Sequence, residues 1–107
     1  MQYLEIEQAI KLLKNNKKNI SFLDIRERKQ YVHGFAFGSV NCPFSKFKYL
    51  IKELVPDLNT NLILIGAKNN NQTNQIQKIL TKFRYCKSYI IKGDYKNWKK
   101  HKFPVWE

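Results

Sequence analysis

The side chains whose type and spacing bear first on chemistry are Cys42, Cys86, His33, His101 and the pair Asp24 and Arg26. A thiolate is a nucleophile and a soft metal ligand. However, neither cysteine belongs to a CxxC, and neither histidine lies beside them at metal-ligand spacing. No zinc site, disulfide scaffold, other metal or cofactor is expected. Cys42 reads as a small buried hydrophobe. Cys86 lies between Arg84 and Lys87, whose charges favour a thiolate, but flanking charges on an exposed connector do not make an active site. His33 has neither a paired carboxylate nor an adjacent nucleophile and reads as a solvated surface residue. Asp24 and Arg26 read as a buried or partly buried ion pair with backbone hydrogen bonds.

The elements that must position these groups are visible in the hydrophobic pattern. YLEI followed by EQAIKLLKN predicts an edge strand and an amphipathic helix with Ala9, Ile10, Leu12 and Leu13 inward, broken by NNKKN. ISFLD is an apolar run ending in an acid, as in a parallel strand buried on both faces, with function expected past its carboxyl end. ERKQYVHG predicts one or two helical turns stopped by Gly34. FAFGSVNCP predicts a tight turn at Gly38, a strand over residues 39 to 41 and a stop at Pro43. Ser45 is the predicted N-cap of FKYLIKEL, which Pro56 ends, with Phe47, Leu50, Ile51 and Leu54 at helical spacing. NLILIG is the strongest strand, and the polar AKNNNQTNQ leads from it into a helix carrying Ile76, Ile79, Leu80 and Phe83. SYII is the last predicted strand, GDY a turn and YKNWKK a closing helix. Trp98, Trp106 and the tyrosines are expected in core and closing contacts. Strands and helices in alternation predict an α/β domain with a mainly parallel sheet.

The 107 residues, 43% apolar, suit one compact core and are too few for two ordinary domains. No apolar stretch approaches the roughly 18 residues needed to span a bilayer, and the start lacks a signal-peptide layout, so a cytoplasmic location is expected. Twenty basic residues against eight acidic ones leave a net charge of +12, which attracts anions. Seventeen of the twenty are Lys and eleven residues are Asn, a pairing that AT-biased coding also produces without any partner.

Four features in order resemble the rhodanese family, whose members carry sulfane sulfur as a persulfide on one cysteine. Asp24-Ile25-Arg26 is similar to the family's D-[VIL]-R after its second strand, and Gly38-Ser39-Val40-Asn41-Cys42-Pro43 to its G-A-x-N-x-P. The strand over residues 62 to 65 leads into a polar loop and helix. Ile90-Ile91-Lys92-Gly93-Asp94 is similar to the L-x-G-G before the last helix, and Trp98 with Pro104-Val105 to the closing W-x5-P-V. The resemblance covers essentially the whole chain, residues 1 to 107, as a single domain. It implies a three-layer α/β/α fold around a central, mainly parallel five-stranded sheet, with Asp24, Arg26, Gly38, Gly93, Trp98 and Pro104 as structural motif residues.

Counted without gaps from Gly93 and from Ile79-Leu80, the family's loop C-[RK]-x-G-x-R-[ST] falls on Ala67-Lys68-Asn69-Asn70-Asn71-Gln72-Thr73. Ala67 stands for the nucleophile, Asn70 for the glycine and Gln72 for the second arginine. Asn is the residue that, after Gly, best accepts a left-handed backbone, so Asn70 is expected to preserve the loop's shape. The resemblance therefore implies a domain without the family's catalysis, serving as a binding, regulatory or structural module, alone or within a sulfur-transfer protein. A protein partner or adjoining domain is expected. A small oxyanion is the expected ligand of the loop, at the N-terminus of a helix beginning near Gln72 and beside Lys68. Two alternatives stand beside it. One is a sulfurtransferase working through Cys42 or Cys86. The other is a basic binder of nucleic acid or acidic protein through Lys92, Lys96, Lys99, Lys100 and Lys102. Phosphatase chemistry on the related fold fails for want of the same cysteine and arginine. No membrane partner is expected.

Overall fold

The apolar runs that mark ISFLD and NLILI as buried strands place them side by side at the centre of the sheet. The computed structural model describes residues 1–15 and 19–107. In chain order it contains β1 (Gln2–Leu4), α1 (Ile6–Lys14), β2 (Ile20–Asp24), α2 (Arg28–Tyr31), β3 (Phe35–Ala36), β4 (Val40–Asn41), a 3-10 turn (Phe44–Lys46) and α3 (Phe47–Leu54). It continues with β5 (Asn61–Ile65), α4 (Asn70–Lys82), β6 (Ser88–Ile91), α5 (Tyr95–Lys99) and β7 (Val105–Trp106). The main sheet has the order β1-β6-β5-β2-β4, and every pair in it is parallel. The expected three-layer α/β/α fold with five central strands is thus the observed one. Of the predicted break NNKKN, residues 16–18 lie outside the described residues.

A sheet with two apolar faces needs cover on both sides. On one face α3 and α4 contribute Phe47, Ile51, Ile76 and Leu80, packed on Leu23, Leu62, Leu64 and Ile90. On the other, α1 and α5 contribute Ile6, Ala9 and Trp98, packed on Phe22, Ile63, Ile65 and Ile91. Trp98 is fully buried, with Phe22 and Phe103 rings 5.5 and 5.2 Å from its own. Tyr85 ties the first layer together by donating its hydroxyl to the carbonyls of Ile51 and Val55 at the end of α3.

Four expectations are corrected. Ser45 does not cap α3, because the 3-10 turn after Pro43 has already wound the chain there and Lys46 holds the cap position. The Ser45 hydroxyl donates instead to Glu27 Oε1 at 2.6 Å. β3 and β7 form an unexpected antiparallel pair, Phe35 opposite Trp106 and Ala36 opposite Val105, which closes the chain onto the segment after α2. Trp106 is consequently a surface residue, 57% exposed and stacked on Phe37, and Tyr3 and Tyr49 are also exposed. The last correction, at the start of α4, belongs to the site.

Candidate functional site

The loop between β5 and α4 leaves the carboxyl edge of the central strand. Gly66 turns it with φ +101°, and a Cβ there would stand 2.7 Å from Arg26 Cγ. Only a residue without a side chain fits both the backbone and the space. The next residue, Ala67, is partly buried, its methyl group packed against the core under α3 and α4. Lys68, Asn69, Asn70 and Asn71 are exposed.

α4 begins at Asn70, two residues before the expected start, because Asn69 is a strong cap: its Oδ1 accepts the Gln72 N–H at 3.0 Å. Asn70 is accordingly the first helical residue and not a left-handed one; among the described residues the non-glycine with positive φ is Arg84. Gln72 turns back, and its Oε1 accepts the Lys68 N–H at 2.9 Å. Thr73 is buried inside the first turn, its hydroxyl directed to the Asn69 carbonyl at 3.3 Å. Two backbone donors facing the loop are therefore taken by the loop's own side chains. The N–H groups of Asn70 and Asn71, in the first turn, have no intrahelical acceptor.

Beneath the loop lies a node at the end of β2. The Asp24 carboxylate, 0% exposed, accepts the Arg26 backbone N–H (2.9 Å), Nε (3.0 Å to each oxygen) and Nη2 (2.8 Å). Arg26 Nη2 also donates to the Gly34 carbonyl at 2.7 Å, and the guanidinium lies 4.2 Å from the centre of the Tyr95 ring. Asn41 Nδ2 binds the carbonyls of Asp24 and Arg26 at 3.0 and 2.8 Å. The ion pair so joins β2 to the turn after α2 and to α5, and Asn41 ties β4 to the backbone of the same segment. The pair spends the arginine on the fold.

Because α4 and α5 pass to opposite faces, the loops after β5 and β6 diverge and leave a crevice at the carboxyl ends of the strands, the usual place for a ligand in an open α/β sheet. Its volume is about 380 Å³, with Ala67, Lys68, Asn69, Lys92, Gly93 and Asp94 in its wall. A smaller hollow of about 230 Å³ lies on the other side of Lys68, beside Arg26, Glu27, Gly66 and Gln72. The crevice offers the ammonium groups of Lys68 and Lys92, amide groups and a helix N-terminus, but its described lining contains no cysteine. Among the described residues no group of three His, Cys, Asp or Glu side chains could hold a metal ion.

The family model for the rhodanese-like domain matches residues 5–101. The chain is a rhodanese-like domain. No curated protein matches it significantly in sequence. Among solved structures it is similar to the Alr3790 protein from Anabaena, at 19% identity and a TM-score of 0.80 over 96% of this chain and 90% of that one. It is also similar to a structure described as rhodanese with anions from E. coli, at 25% identity and a TM-score of 0.63 over 82% of this chain and 98% of that one. A third likeness is to the thiosulfate sulfurtransferase from Pseudomonas aeruginosa, at 15% identity and a TM-score of 0.81, in which the domain fills 20% of the larger chain.

Of the remaining candidate residues of the rhodanese-like domain, all but Gly93 are scattered away from the crevice. Gly38 sits at φ +87° in the turn between β3 and β4, Pro104 offers its carbonyl to the Phe37 N–H at 2.9 Å, and Trp98 is in the core. Gly93 lies in the crevice wall. His33 is exposed after α2. Cys42 is fully buried after β4, and burial pushes its thiol up to about 12. Cys86 is exposed at the amino end of β6, the opposite edge of the sheet from the loop. Given the parallel register of Leu62 with Ser88, the rise per residue separates Cys86 from Ala67 by roughly 20 Å. Sequence reasoning missed Gly66 and Tyr95 and read Gly34 as a helix stop without its carbonyl's bond to Arg26, parts that depend on neighbours distant in the chain. The Asn69 to Gln72 spacing was the available signal for a cap. No helix among the described residues is long and apolar enough to cross a membrane.

Proposed function

We propose that this rhodanese-like domain does not transfer sulfur and serves as a non-catalytic binding, regulatory or structural module. One observation carries the reading: in the loop that holds the family's sulfur-carrying cysteine, Ala67 packs against the core, and the N–H groups of Lys68 and Gln72 are taken by the Gln72 and Asn69 side chains. A persulfide carrier needs a thiolate for the N–H groups at the helix start to stabilise, and an alanine methyl supplies none. Neither cysteine replaces it. Cys42 is sealed in the core with a raised thiol pKa, and Cys86 lies across the sheet from the crevice. Arg26, held by Asp24 and Gly34, is not available to grip an anionic sulfur donor.

The test is thiosulfate followed by cyanide, with thiocyanate as the readout, on the wild-type chain and on Cys42→Ser and Cys86→Ser. No thiocyanate above the protein-free rate is expected from any of the three. Turnover in the wild type that disappears with one of the serines would overturn the proposal.

A further inference from the structure

We propose that the outer surface of α3 and α4 binds the phosphodiester backbone of a single-stranded nucleic acid. This goes beyond the non-catalytic reading by naming a partner and a face, and it does not depend on the sulfur chemistry.

The uneven distribution of acid is the starting point. Between Asp57 and Asp94 the chain has no acidic residue, and this stretch contains the whole of α4. On α4, Lys78 and Lys82 are exposed one turn apart and, with Asn74, Gln77 and Thr81, line a hollow of about 580 Å³. On α3, Lys48 and Lys52 are likewise one turn apart. The two helices meet where Lys52 Nζ lies 4.2 Å from the centre of the Phe83 ring and Tyr85 bonds the end of α3. Glu53 is the one acid on α3, and none of the four lysines has an ion pair among the described residues.

The opposite layer differs. There the acids sit against the bases: Lys92 Nζ is 3.3 Å from Glu5, Lys99 Nζ 3.6 Å from Glu107, and His101 Nε2 3.4 Å from Glu7. The lysines that cluster in the sequence near α5 are therefore partly offset, and those that the fold gathers on α3 and α4 are not.

The outer side of α4 also favours phosphate over protein. Its exposed residues are Asn, Gln, Thr and Lys, the donors that contact phosphate oxygens. Protein interfaces centre on buried apolar and aromatic anchors, which this face of α4 lacks. One stacking platform is present beside the lysines: Tyr49 is 73% exposed, with Lys48 Nζ 6.0 Å from its ring centre. An exposed ring beside cations suits an unpaired base.

The experiment is fluorescence anisotropy of a labelled single-stranded oligonucleotide of about 20 nucleotides, titrated with the full chain across a salt series from about 50 mM. Saturable binding is expected, weakening with salt by a slope of about 0.7 per phosphate contacted. Lys78→Glu with Lys82→Glu should weaken it at least about tenfold, whereas Lys99→Glu with Lys100→Glu should change it by less than about threefold. Far-ultraviolet circular dichroism checks folding, and Lys78→Gln with Lys82→Gln replaces the double reversal if that variant does not fold. Absence of binding at low salt, equal loss from both pairs, or competition by polyglutamate as effective as that by unlabelled oligonucleotide would each overturn the proposal. The last outcome would make the face a docking surface for acidic protein.

Discussion

Gln72 Oε1 accepts the Lys68 backbone N–H at 2.9 Å, so a side chain from the first turn of α4 satisfies a donor of the loop that precedes it. In the family's loop pattern this position is an arginine, which has no acceptor and leaves such a donor free. The substitution therefore changes the loop twice, removing a charge and filling a donor.

The closure separates two ways of restoring chemistry. Ala67→Cys alone supplies a nucleophile at the head of α4 but leaves the Lys68 N–H occupied and the nearby Arg26 held by Asp24 and Gly34. Ala67→Cys with Gln72→Arg frees the donor and adds a fixed cation able to grip an oxyanion in bidentate fashion. In the thiosulfate and cyanide assay the double variant should exceed the single one at least about tenfold, the scale of one charge-assisted hydrogen bond. Equal rates would mean that Gln72 does not limit the loop.

The ion pair beneath the loop makes a stability prediction. Arg26→Ala would leave the buried Asp24 carboxylate without its guanidinium, and an orphaned buried charge costs about 3–5 kcal/mol. Urea denaturation should show the midpoint falling accordingly. Asp24→Asn with Arg26→Met, which removes both charges, should lose less than Arg26→Ala alone. If Arg26→Ala costs under about 1 kcal/mol, the pair behaves as a surface contact and does not hold β2, the turn after α2 and α5 together.

How much of this was legible follows from the range over which each feature is determined. β2 and β5 read as strands because their apolar runs are continuous and local, and the Asp24 and Arg26 pair because two residues suffice to state it. β3 and β7 did not, since a two-residue strand has no period and its partner lies far away in the chain. Ser45 has the right type for a cap, but Pro43 starts the winding earlier. At Asn70 the residue type suggested a left-handed bend, yet Asn69 one position before it captures Gln72 and starts the helix. That Ala67 stands where the family's pattern has a cysteine was open to a reading of residue types; the closure of the Lys68 N–H by Gln72 needed side-chain positions.

Gly66 and Gly38 provide a controlled pair. Both have positive φ, but a Cβ at Gly66 meets Arg26 Cγ at 2.7 Å, whereas one at Gly38 meets nothing within 4 Å. Gly38→Ala should cost only backbone strain, about 1–2 kcal/mol. Gly66→Ala adds displacement of Arg26 from Asp24 and should cost visibly more. Thermal melting of the two variants decides it, and equal losses would show that Arg26 yields without disturbing its node.

Cys42 ties the fold to alkaline pH. Burial raises its thiol from the ordinary 9.0 to about 12, so between those values the unfolded chain ionises and the folded chain keeps its proton. The contribution is full below pH 9 and is lost as pH rises toward 12, by at most about 1.4 kcal/mol per pH unit in that window. Tyr31, Tyr85 and Tyr95 are also raised by burial and act in the same direction, so the wild-type slope alone does not isolate the thiol. Urea denaturation of the wild type and Cys42→Ala at pH 8 and about pH 10 does: the variant should lose less stability over the interval. Under native conditions at pH 8 a thiol reagent should modify Cys86 at once and Cys42 only on unfolding. Rapid native labelling of both thiols, with matching alkaline slopes in the two proteins, would show that Cys42 is open to solvent and would reopen sulfur transfer through it.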